Sequence, residues 1–201
     1  DLSGRRKKAA KELEGKVQTA LRDLGMPKAV FRIATSFREG REGRHACGPY
    51  GFDRIEFLIS PNEGEPEKPL RDIASGGEIS RIMLALKSVF SETDRIQSLI
   101  FDEIDSGIGG EVAVAVGEHL AKLGKNKQVL CITHLASIAV RADNHIRVEK
   151  REGEGRTYTD IRPIEEGERV AEIARMLSGD SESDSSLSHA QELLQRYGVR
   201  S

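Results

Sequence analysis

The sequence lacks the features that mark membrane and secreted proteins. Hydrophobic residues make up 37% and charged residues 32% of its 201 residues, and no apolar run approaches the roughly 20 residues that span a bilayer. The opening segment, "DLSGRRKKAAKELEGK", has no apolar core of the kind that a signal peptide needs. We therefore expect a soluble, cytoplasmic protein with no membrane partner. Because the chain does not begin with Met, we also expect a piece of a longer protein.

Cysteine and net charge are also scarce. The two cysteines, Cys47 and Cys131, form no CxxC pair, which favours a reducing compartment. His45 lies beside Cys47, but two possible ligands are too few to indicate zinc. A net charge of -2 argues against a uniformly basic nucleic-acid binder. The basic cluster Arg5–Lys11 is consistent with a solvated helix face or with a contact to a phosphate backbone, and the sequence leaves both open.

The hydrophobic pattern of the first 60 residues predicts a helix and two strands. Apolar residues recur at helical spacing over residues 1–24, and Gly25 and Pro27 then stop the pattern. Two strand-like runs follow, "AVFRIATSF" and "FDRIEFLIS", with the glycine-rich loop "REGREGRHACGPYG" between them. In the first run, alternate residues are predicted to share one face: Phe31, Ile33, Thr35 and Phe37.

From Ile73 onward, helical and strand-like segments alternate. "SLIFD" and "QVLCIT" read as short apolar strands, followed by the helical patterns "EVAVAVGEHLAKL" and "LASIAVRA". Such strand–helix units predict a parallel sheet. A hairpin, built from "HIRVEK" and "TYTDIRP", and two terminal helices complete the chain. The predicted fold is α/β, a mostly parallel sheet flanked by helices, with a separate N-terminal helix.

Residues capable of chemistry follow both apolar strands. Asp102 and Glu103 end the first strand, and His134 ends the second about thirty residues later. Ligands of open α/β sheets bind at the carboxyl ends of the strands. An Asp there can hold Mg²⁺, and a Glu beside it can orient an attacking water. Taken alone, a pair of acidic residues that ends a strand is also common for structural reasons.

The segment "ASGGE" begins the helix that precedes these strands. The start of a helix exposes unpaired backbone N–H groups and a partial positive charge, which suits phosphate. Ser75 can cap the helix or donate its hydroxyl to a ligand. Capping alone leaves Gly76 and Gly77 unexplained, since glycine weakens a helix by roughly 1 kcal/mol relative to alanine. Phosphate binding explains all three residues.

The order of these motifs resembles that of the ABC-type ATPases. "ASGGE" is similar to their signature motif, "LIFDE" to their Walker B motif, "IDSGIGG" to their D-loop and "ITH" to their switch-histidine strand. Within that superfamily, the motifs and the segment "FLISPNEGEPEKPL" resemble the SMC-like ATPases of DNA repair, from Ala9 to the end of the chain. Ala74 replaces the usual Leu of the signature motif and Glu78 the Gln of transporters, and both departures fit that branch.

The sequence contains no P-loop of the form G-x-x-x-x-G-K-[ST], which phosphoryl transfer in this family requires. Its two Gly-Lys pairs, at 15–16 and 124–125, are followed by Val17 and Asn126. SMC-like proteins carry the P-loop in an N-terminal half, separated from the C-terminal half by a long coiled coil. The resemblance therefore implies that residues 1–24 form the base of the returning coiled-coil arm and that residues 25–201 form the C-terminal lobe of the head. Such a fragment alone is expected to hydrolyse no ATP.

The resemblance also implies roles for the individual residues. Asp102 would help to hold Mg²⁺, Glu103 would activate water, and His134 would contact the γ-phosphate of ATP. Asp105 would link two active sites across a dimer. The signature residues Ser75, Gly76, Gly77 and Glu78 would contact ATP held by the opposite head. The implied partners are the P-loop lobe, a second head in an ATP-bridged homodimer, and DNA, in double-strand break repair.

Two other functions remain open at this point. One is the nucleotide-binding subunit of an ABC transporter, although such subunits carry the P-loop roughly 100 residues before the signature motif on the same chain. The other is a non-catalytic DNA-binding scaffold that has kept the fold. The intact Asp102, Glu103 and His134 argue against this loss of chemistry.

Overall fold

The computed structural model describes residues 2–39, 45–153, 156–179 and 183–198. Parts of the predicted glycine-rich loop (40–44) and of the hairpin turn (154–155) lie outside these ranges. The first element is α1, Leu2–Asp23, and Gly25 follows it with φ 78°. The helical pattern is confirmed, because its apolar stripe enters the main core: Val17, Ala20, Leu21 and Leu24 are buried.

Three antiparallel strands pack beside α1. They are β1 (Val30–Phe37), β2 (Asp53–Ser60) and β3 (Lys68–Pro69), in the order β1-β2-β3. The predicted apolar face of β1 is only partly buried. Phe31 and Ile33 are buried, but Thr35 is half-buried and Phe37 is 43% exposed. The reason is that the far end of β1 lies beside the polar first turns of α1, where Lys7 stands over the Phe37 ring.

Helix α1 also covers the open edge of β1. The Glu14 carboxylate accepts the Ile33 N–H at 2.7 Å, and the Gln18 side chain accepts the Phe31 N–H at 3.2 Å. The Gln18 amide also donates to the Ala29 carbonyl. These side chains take the place of a neighbouring strand, so that the exposed edge of the sheet is partly satisfied.

The second half of the chain contains a parallel strand pair. After a short 3₁₀ turn (Leu70–Asp72) come α2 (Gly76–Val89), β4 (Ser98–Phe101), α3 (Gly110–Gly124), β5 (Gln128–Cys131) and α4 (Ala136–Ala139). Strand β4 is parallel to β5, with Ser98 opposite Gln128 and Phe101 opposite Cys131. Helix α4 is shorter than the predicted "LASIAVRA", because the chain tightens after Ala139 into i→i+3 turns.

The remaining elements form a hairpin and two helices. Strands β6 (Ile146–Gly153) and β7 (Arg156–Pro163) are antiparallel, and α5 (Glu166–Ser178) and α6 (Asp184–Tyr197) follow them. Helices α4, α5 and α6 share a small second core, which contains six buried residues: Ala136, Ala139, Val140, Ile173, Ala174 and Ala190.

The prediction of a mostly parallel sheet holds only in part. Among the described strands, β4 and β5 are the parallel pair, and the other pairs are antiparallel. The described residues between β1 and β2 contain no crossover helix, and only two residues separate β6 from β7, and short connections of this kind favour the antiparallel direction. Within the described ranges, no helix combines the length and the apolar character needed to cross a membrane.

Candidate functional site

The predicted site residues lie at one end of the parallel strand pair. Three segments meet there, which are the start of α2 at Ser75–Gly77, the turn after β4 at Asp102–Ser106, and Thr133–His134 after β5. Ser75 has the capping role, because its hydroxyl accepts the Glu78 N–H at 3.4 Å. The structure therefore brings together the residues that the sequence selected separately.

The turn after β4 packs directly against both glycines of α2. A Cβ added at Gly76 would clash with the Glu103 carboxylate oxygen Oε2. One added at Gly77 would lie 2.9 Å from the Ser106 Cβ and 3.1 Å from the Glu103 carbonyl oxygen. The turn thus leaves no room for a side chain at Gly77, and at Gly76 the space is taken by the Glu103 carboxylate, an explanation that the sequence did not reveal and that does not need a phosphate.

Glu103 has an unusual backbone. Its φ is 55°, and no other non-glycine residue in the described part of the chain has a positive φ. This left-handed conformation costs an ordinary residue roughly 1–2 kcal/mol. The backbone N–H of Glu103 donates to Asp102 Oδ1 at 2.8 Å, and the side chain is exposed. The turn therefore holds the Glu103 carboxylate at the start of α2 at the cost of local strain.

Two residues of α2 donate hydrogen bonds to backbone carbonyls of the same turn. The Ser80 hydroxyl donates to the Asp102 carbonyl at 2.6 Å. Arg81 donates through one guanidinium nitrogen to the Ser106 carbonyl at 2.9 Å and, more weakly, to the Ile104 carbonyl at 3.4 Å. Burial lowers the pKa of Arg81 from its usual value. No motif in the sequence marks either residue, although Arg81 lies four residues after Gly77 and three before Leu84, on a face of α2 that is buried.

Asp105 joins the turn after β4 to the segment after β5. Its buried carboxylate oxygen Oδ2 accepts the Thr133 hydroxyl at 2.6 Å and the His134 backbone N–H at 2.8 Å, and it lies 3.0 Å from His134 Nδ1. The His134 side chain itself is 73% exposed. Asp105 therefore orients His134 with its other ring nitrogen free to face a ligand. The predicted contact of Asp105 across a dimer stays a prediction.

The same end of the sheet contains one thiol. Burial raises the pKa of Cys131 to about 12, and the carboxylates of Asp105 and Asp102 add to the effect. Cys131 is therefore an unreactive thiol at neutral pH. Cys47 is exposed, and its neighbour His45 packs with the rings of Phe37 and Phe52.

Asp102 fits one kind of metal site. In the described ranges, no group of three or more His, Cys, Asp or Glu side chains is placed to hold an ion. Mg²⁺ often takes one or two carboxylates and completes its shell with phosphates and water. The exposed Asp102 carboxylate at the end of β4 suits that arrangement and not an all-protein cage.

The basic cluster of α1 divides into bound and free residues. Arg6 pairs with Asp53 at 2.7 Å and donates to the Tyr50 carbonyl at 2.8 Å. The hydrogen bond from Arg6, followed by that from Ser3, holds the pKa of Asp53 below its usual value. Arg5, Lys8 and Lys11 are exposed. Part of the cluster thus fixes α1 to β2, and the exposed part stays a candidate contact for phosphate.

Solved structures show the class of fold. The chain is similar to an Smc head domain with a coiled coil and joint from Pyrococcus yayanosii, with a TM-score of 0.53 and 19% identity, covering 96% of this chain and 30% of that one. It is also similar to an Smc head domain from Pyrococcus furiosus, bound to the C-terminal domain of ScpA, with a TM-score of 0.51 and 22% identity over 85% of this chain and 39% of that one. The fold is that of an SMC-type head.

Curated sequences then identify the family. "DNA repair protein RecN" of Treponema pallidum is 51% identical over 199 residues, which is 99% of this chain and 35% of that protein. The RecN proteins of Halalkalibacterium halodurans and Bacillus subtilis are 45% and 42% identical over 96% and 98% of the chain, which is 34% and 36% of their own lengths. The chain belongs to the RecN family, as its motifs predict, and it spans about a third of these relatives, in their C-terminal part. No protein-family model matches the chain.

Proposed function

We propose that this chain is the C-terminal lobe of an ATPase head that acts in DNA double-strand break repair. One observation carries the proposal, namely the meeting of the α2 start, the Asp102–Ser106 turn and His134 at one end of the β4–β5 pair. The RecN relatives are named as DNA repair proteins, which supports the repair role and disfavours the transporter alternative. A DNA repair role also supports a cytoplasmic location.

Each residue at this end of the sheet has a proposed role in ATP hydrolysis. Asp102 contributes a ligand to Mg²⁺, which would neutralise phosphate charge when bound. Glu103 orients and deprotonates the attacking water, and its exposed carboxylate is available for this. His134, held by Asp105, contacts the γ-phosphate.

The start of α2 is proposed to act in trans. Ser75, Gly76, Gly77 and Glu78 would meet the γ-phosphate of ATP that a second head carries, because the first backbone N–H groups of a helix favour anions. Asp105 would contribute to the link between the two sites through the turn that it anchors. ATP would then join two heads into a homodimer, and hydrolysis would release them.

Two exposed apolar sheet faces support the proposal that a P-loop-bearing lobe packs against this chain. One face of the β4–β5 pair packs on the core, and the other exposes Ile100 at 72%, Leu130 at 45% and Ile132 at 60%. The hairpin β6–β7 exposes Ile146, Val148 and Ile161 on one face, and its charged face is bound to α5 through Arg162–Glu168 and Arg147–Glu172. Contiguous exposed apolar surface marks an interaction site. We propose that the N-terminal half of the head covers both faces.

The position of the coiled coil and of DNA also belongs to the proposal. Residues 1–24 would form the base of the returning arm, and residues 25–201 the lobe. The exposed residues of Arg5–Lys11 would lie near that base, where they could meet a phosphate backbone.

The variant Glu103→Gln tests the proposed function in the full-length protein. The amide cannot deprotonate water, so we expect ATP turnover to fall by about 10²–10⁴-fold and an ATP-bound dimer to accumulate, as measured by sedimentation. Glu111→Gln, an exposed carboxylate in the first turn of α3, is the matched control and should behave as the parent protein. A Glu103→Gln protein that binds ATP but stays monomeric would contradict the assignment.

A further inference from the structure

Two consecutive residues of α2 hold three backbone carbonyls of the turn after β4. Ser80 binds the carbonyl of Asp102, and Arg81 binds those of Ile104 and Ser106. These three carbonyls flank Glu103 and Asp105, the residues that the turn presents to the site. The backbone of the turn is therefore fixed from α2 on both sides of each acidic residue.

Burial of the Arg81 guanidinium next to the turn has an unfavourable desolvation free energy. Arg81 is 8% exposed, its Nε atom has no hydrogen-bond partner among the described residues, and burial lowers its pKa against the smaller opposing effect of the Glu78 carboxylate. Burying a cation without a paired anion is costly unless its N–H groups are used. The carbonyls of the turn supply the acceptors for this guanidinium. A smaller apolar residue would avoid this desolvation cost but could not donate to the carbonyls of Ile104 and Ser106. The hydrogen bonds to the turn are therefore what the guanidinium contributes at this position.

The same helix carries the Ser75–Gly77 segment at its start, one turn before Arg81. Gly77 also lies within contact distance of both parts, since a Cβ there would stand 3.3 Å from an Arg81 guanidinium nitrogen and 3.1 Å from the Glu103 carbonyl oxygen. The start of α2, Arg81 and the turn therefore form one packed unit. These contacts give a physical route by which a ligand at the helix start could act on the turn.

We propose that Arg81 is a positioning residue, which couples the occupancy of the Ser75–Gly77 segment to the placement of Glu103 and Asp105. The inference rests on the proposed function, since it assumes that the partner head's phosphate binds at Ser75–Gly77. It adds a regulation to that function: engagement of the second head sets the geometry of this head's own water-activating carboxylate. Arginine suits the role because the guanidinium nitrogen that donates to both carbonyls belongs to a rigid planar group, whereas an ammonium group rotates freely at the end of a flexible stem.

The variant Arg81→Lys tests this coupling in the full-length protein. The matched control is Arg169→Lys, because Arg169 is a half-buried guanidinium whose pKa is also lowered by burial and which also donates to backbone carbonyls, those of Ala139, Val140 and Ala142, away from the site. We expect Arg81→Lys to lower kcat by about 100-fold, the effect of a misplaced catalytic group, with the KM for ATP unchanged. Combined with Glu103→Gln, it should still form the ATP-bound dimer.

Hydrogen exchange supplies a second readout that does not depend on turnover. Arg81→Lys should raise the exchange of the amides of residues 103–107 and leave the segment after α4 unchanged, and Arg169→Lys should do the opposite. Arg81→Lys with the parental kcat, or with a kcat loss equal to that of Arg169→Lys, would overturn the coupling. If the parent protein shows neither ATP turnover nor an ATP-bound dimer with Glu103→Gln, the proposed function fails, and the coupling falls with it.

Discussion

At the scale of single residues, Gly76 and Gly77 meet the same turn in different ways. The atom nearest to a Cβ at Gly76 is the end of the flexible, exposed Glu103 side chain. At Gly77, which is buried, the two nearest atoms are the Ser106 Cβ and the Glu103 carbonyl oxygen, which adjoin or belong to the backbone, and an Arg81 guanidinium nitrogen follows at 3.3 Å. A side chain can rotate away from an added methyl group, whereas a packed backbone cannot.

This contrast predicts different stabilities for two neighbouring alanine variants. Gly77→Ala should destabilise the protein by about 1–3 kcal/mol, because an added methyl group overpacks the contact. Gly76→Ala should change the stability by less than about 1 kcal/mol and should displace the Glu103 carboxylate. Thermal unfolding of the full-length variants measures both. Gly15→Ala, in α1 with no atom within 4 Å of the added Cβ, is the control and should be neutral or stabilising. Equal losses for Gly76→Ala and Gly77→Ala would contradict the explanation.

The residues that the sequence could select are those whose position follows from a strand end. Asp102, Glu103 and His134 come directly after apolar runs, so parallel pairing alone brings them to one edge. The roles of Ser80 and Arg81 could not be predicted, because their acceptors are carbonyls between 22 and 25 residues away. Contacts of this kind depend on the path of the turn and not on a local pattern.

At the scale of elements, His119 of α3 connects three helices. Its Nδ1 lies 3.3 Å from the Ser88 hydroxyl of α2, and its Nε2 lies 3.8 Å from an Asp23 carboxylate oxygen at the end of α1. Burial is the largest cause that lowers the pKa of His119, and Lys122 lowers it further, against the smaller opposing effects of Asp23 and Glu118. The folded protein therefore favours the neutral imidazole at this junction.

The lowered pKa predicts a loss of stability in mild acid. As the pH falls below about 6.5, the unfolded chain takes up a proton on His119 before the folded chain does, so the free energy of unfolding decreases until the lower folded pKa is reached. One proton contributes at most about 1.4 kcal/mol per pH unit. Urea unfolding between pH 7.5 and 5 should therefore show a shallower pH dependence for His119→Gln than for the parent. The exposed His189→Gln is the control, and an unchanged slope for His119→Gln would refute the prediction.

Elements were predictable where one physical signal dominates. The stripe of α1 predicts its own burial in the main core, and one face of each apolar run packs there too, through the buried Leu99 and Phe101 of β4 and the partly buried Val129 and Cys131 of β5. The length of α4 was overestimated, because its apolar pattern continues after the backbone has turned. The burial of Phe37 was also overestimated, because alternation along a strand does not show what covers its far end.

At the scale of the whole molecule, apolar residues face outward on two sheets. The β4–β5 face and the hairpin face expose Ile and Leu side chains that an isolated globular protein would tend to bury. The reverse face of each sheet is already occupied, by the core in one case and by the ion pairs to α5 in the other. A second lobe that covers these faces would remove them from water.

This arrangement predicts that the head can be reassembled from two pieces. The 201-residue chain alone should show no ATP turnover, and the addition of the separately expressed P-loop-bearing half should restore it. Ile132→Gln, on the exposed β4–β5 face, should raise the Kd between this chain and the P-loop-bearing half by about 10–100-fold, because a buried Ile contributes about 1.5–3 kcal/mol. Ile55→Gln, at an exposed Ile of β2, is the control. Turnover by the chain alone, or equal effects of both variants, would contradict the two-lobe interpretation.

The attachment of α1 to β1 has a mechanical consequence. Glu14 and Gln18 bind successive N–H groups of the strand edge at Ile33 and Phe31, one helical turn apart. A force along the axis of α1 would therefore load both hydrogen bonds in shear at the same time. They would not open one after another, as they would if the helix were peeled from one end. Tension or torque that reaches the helix would pass directly into the antiparallel sheet. Helix α1 and the antiparallel sheet would therefore move together as one rigid unit.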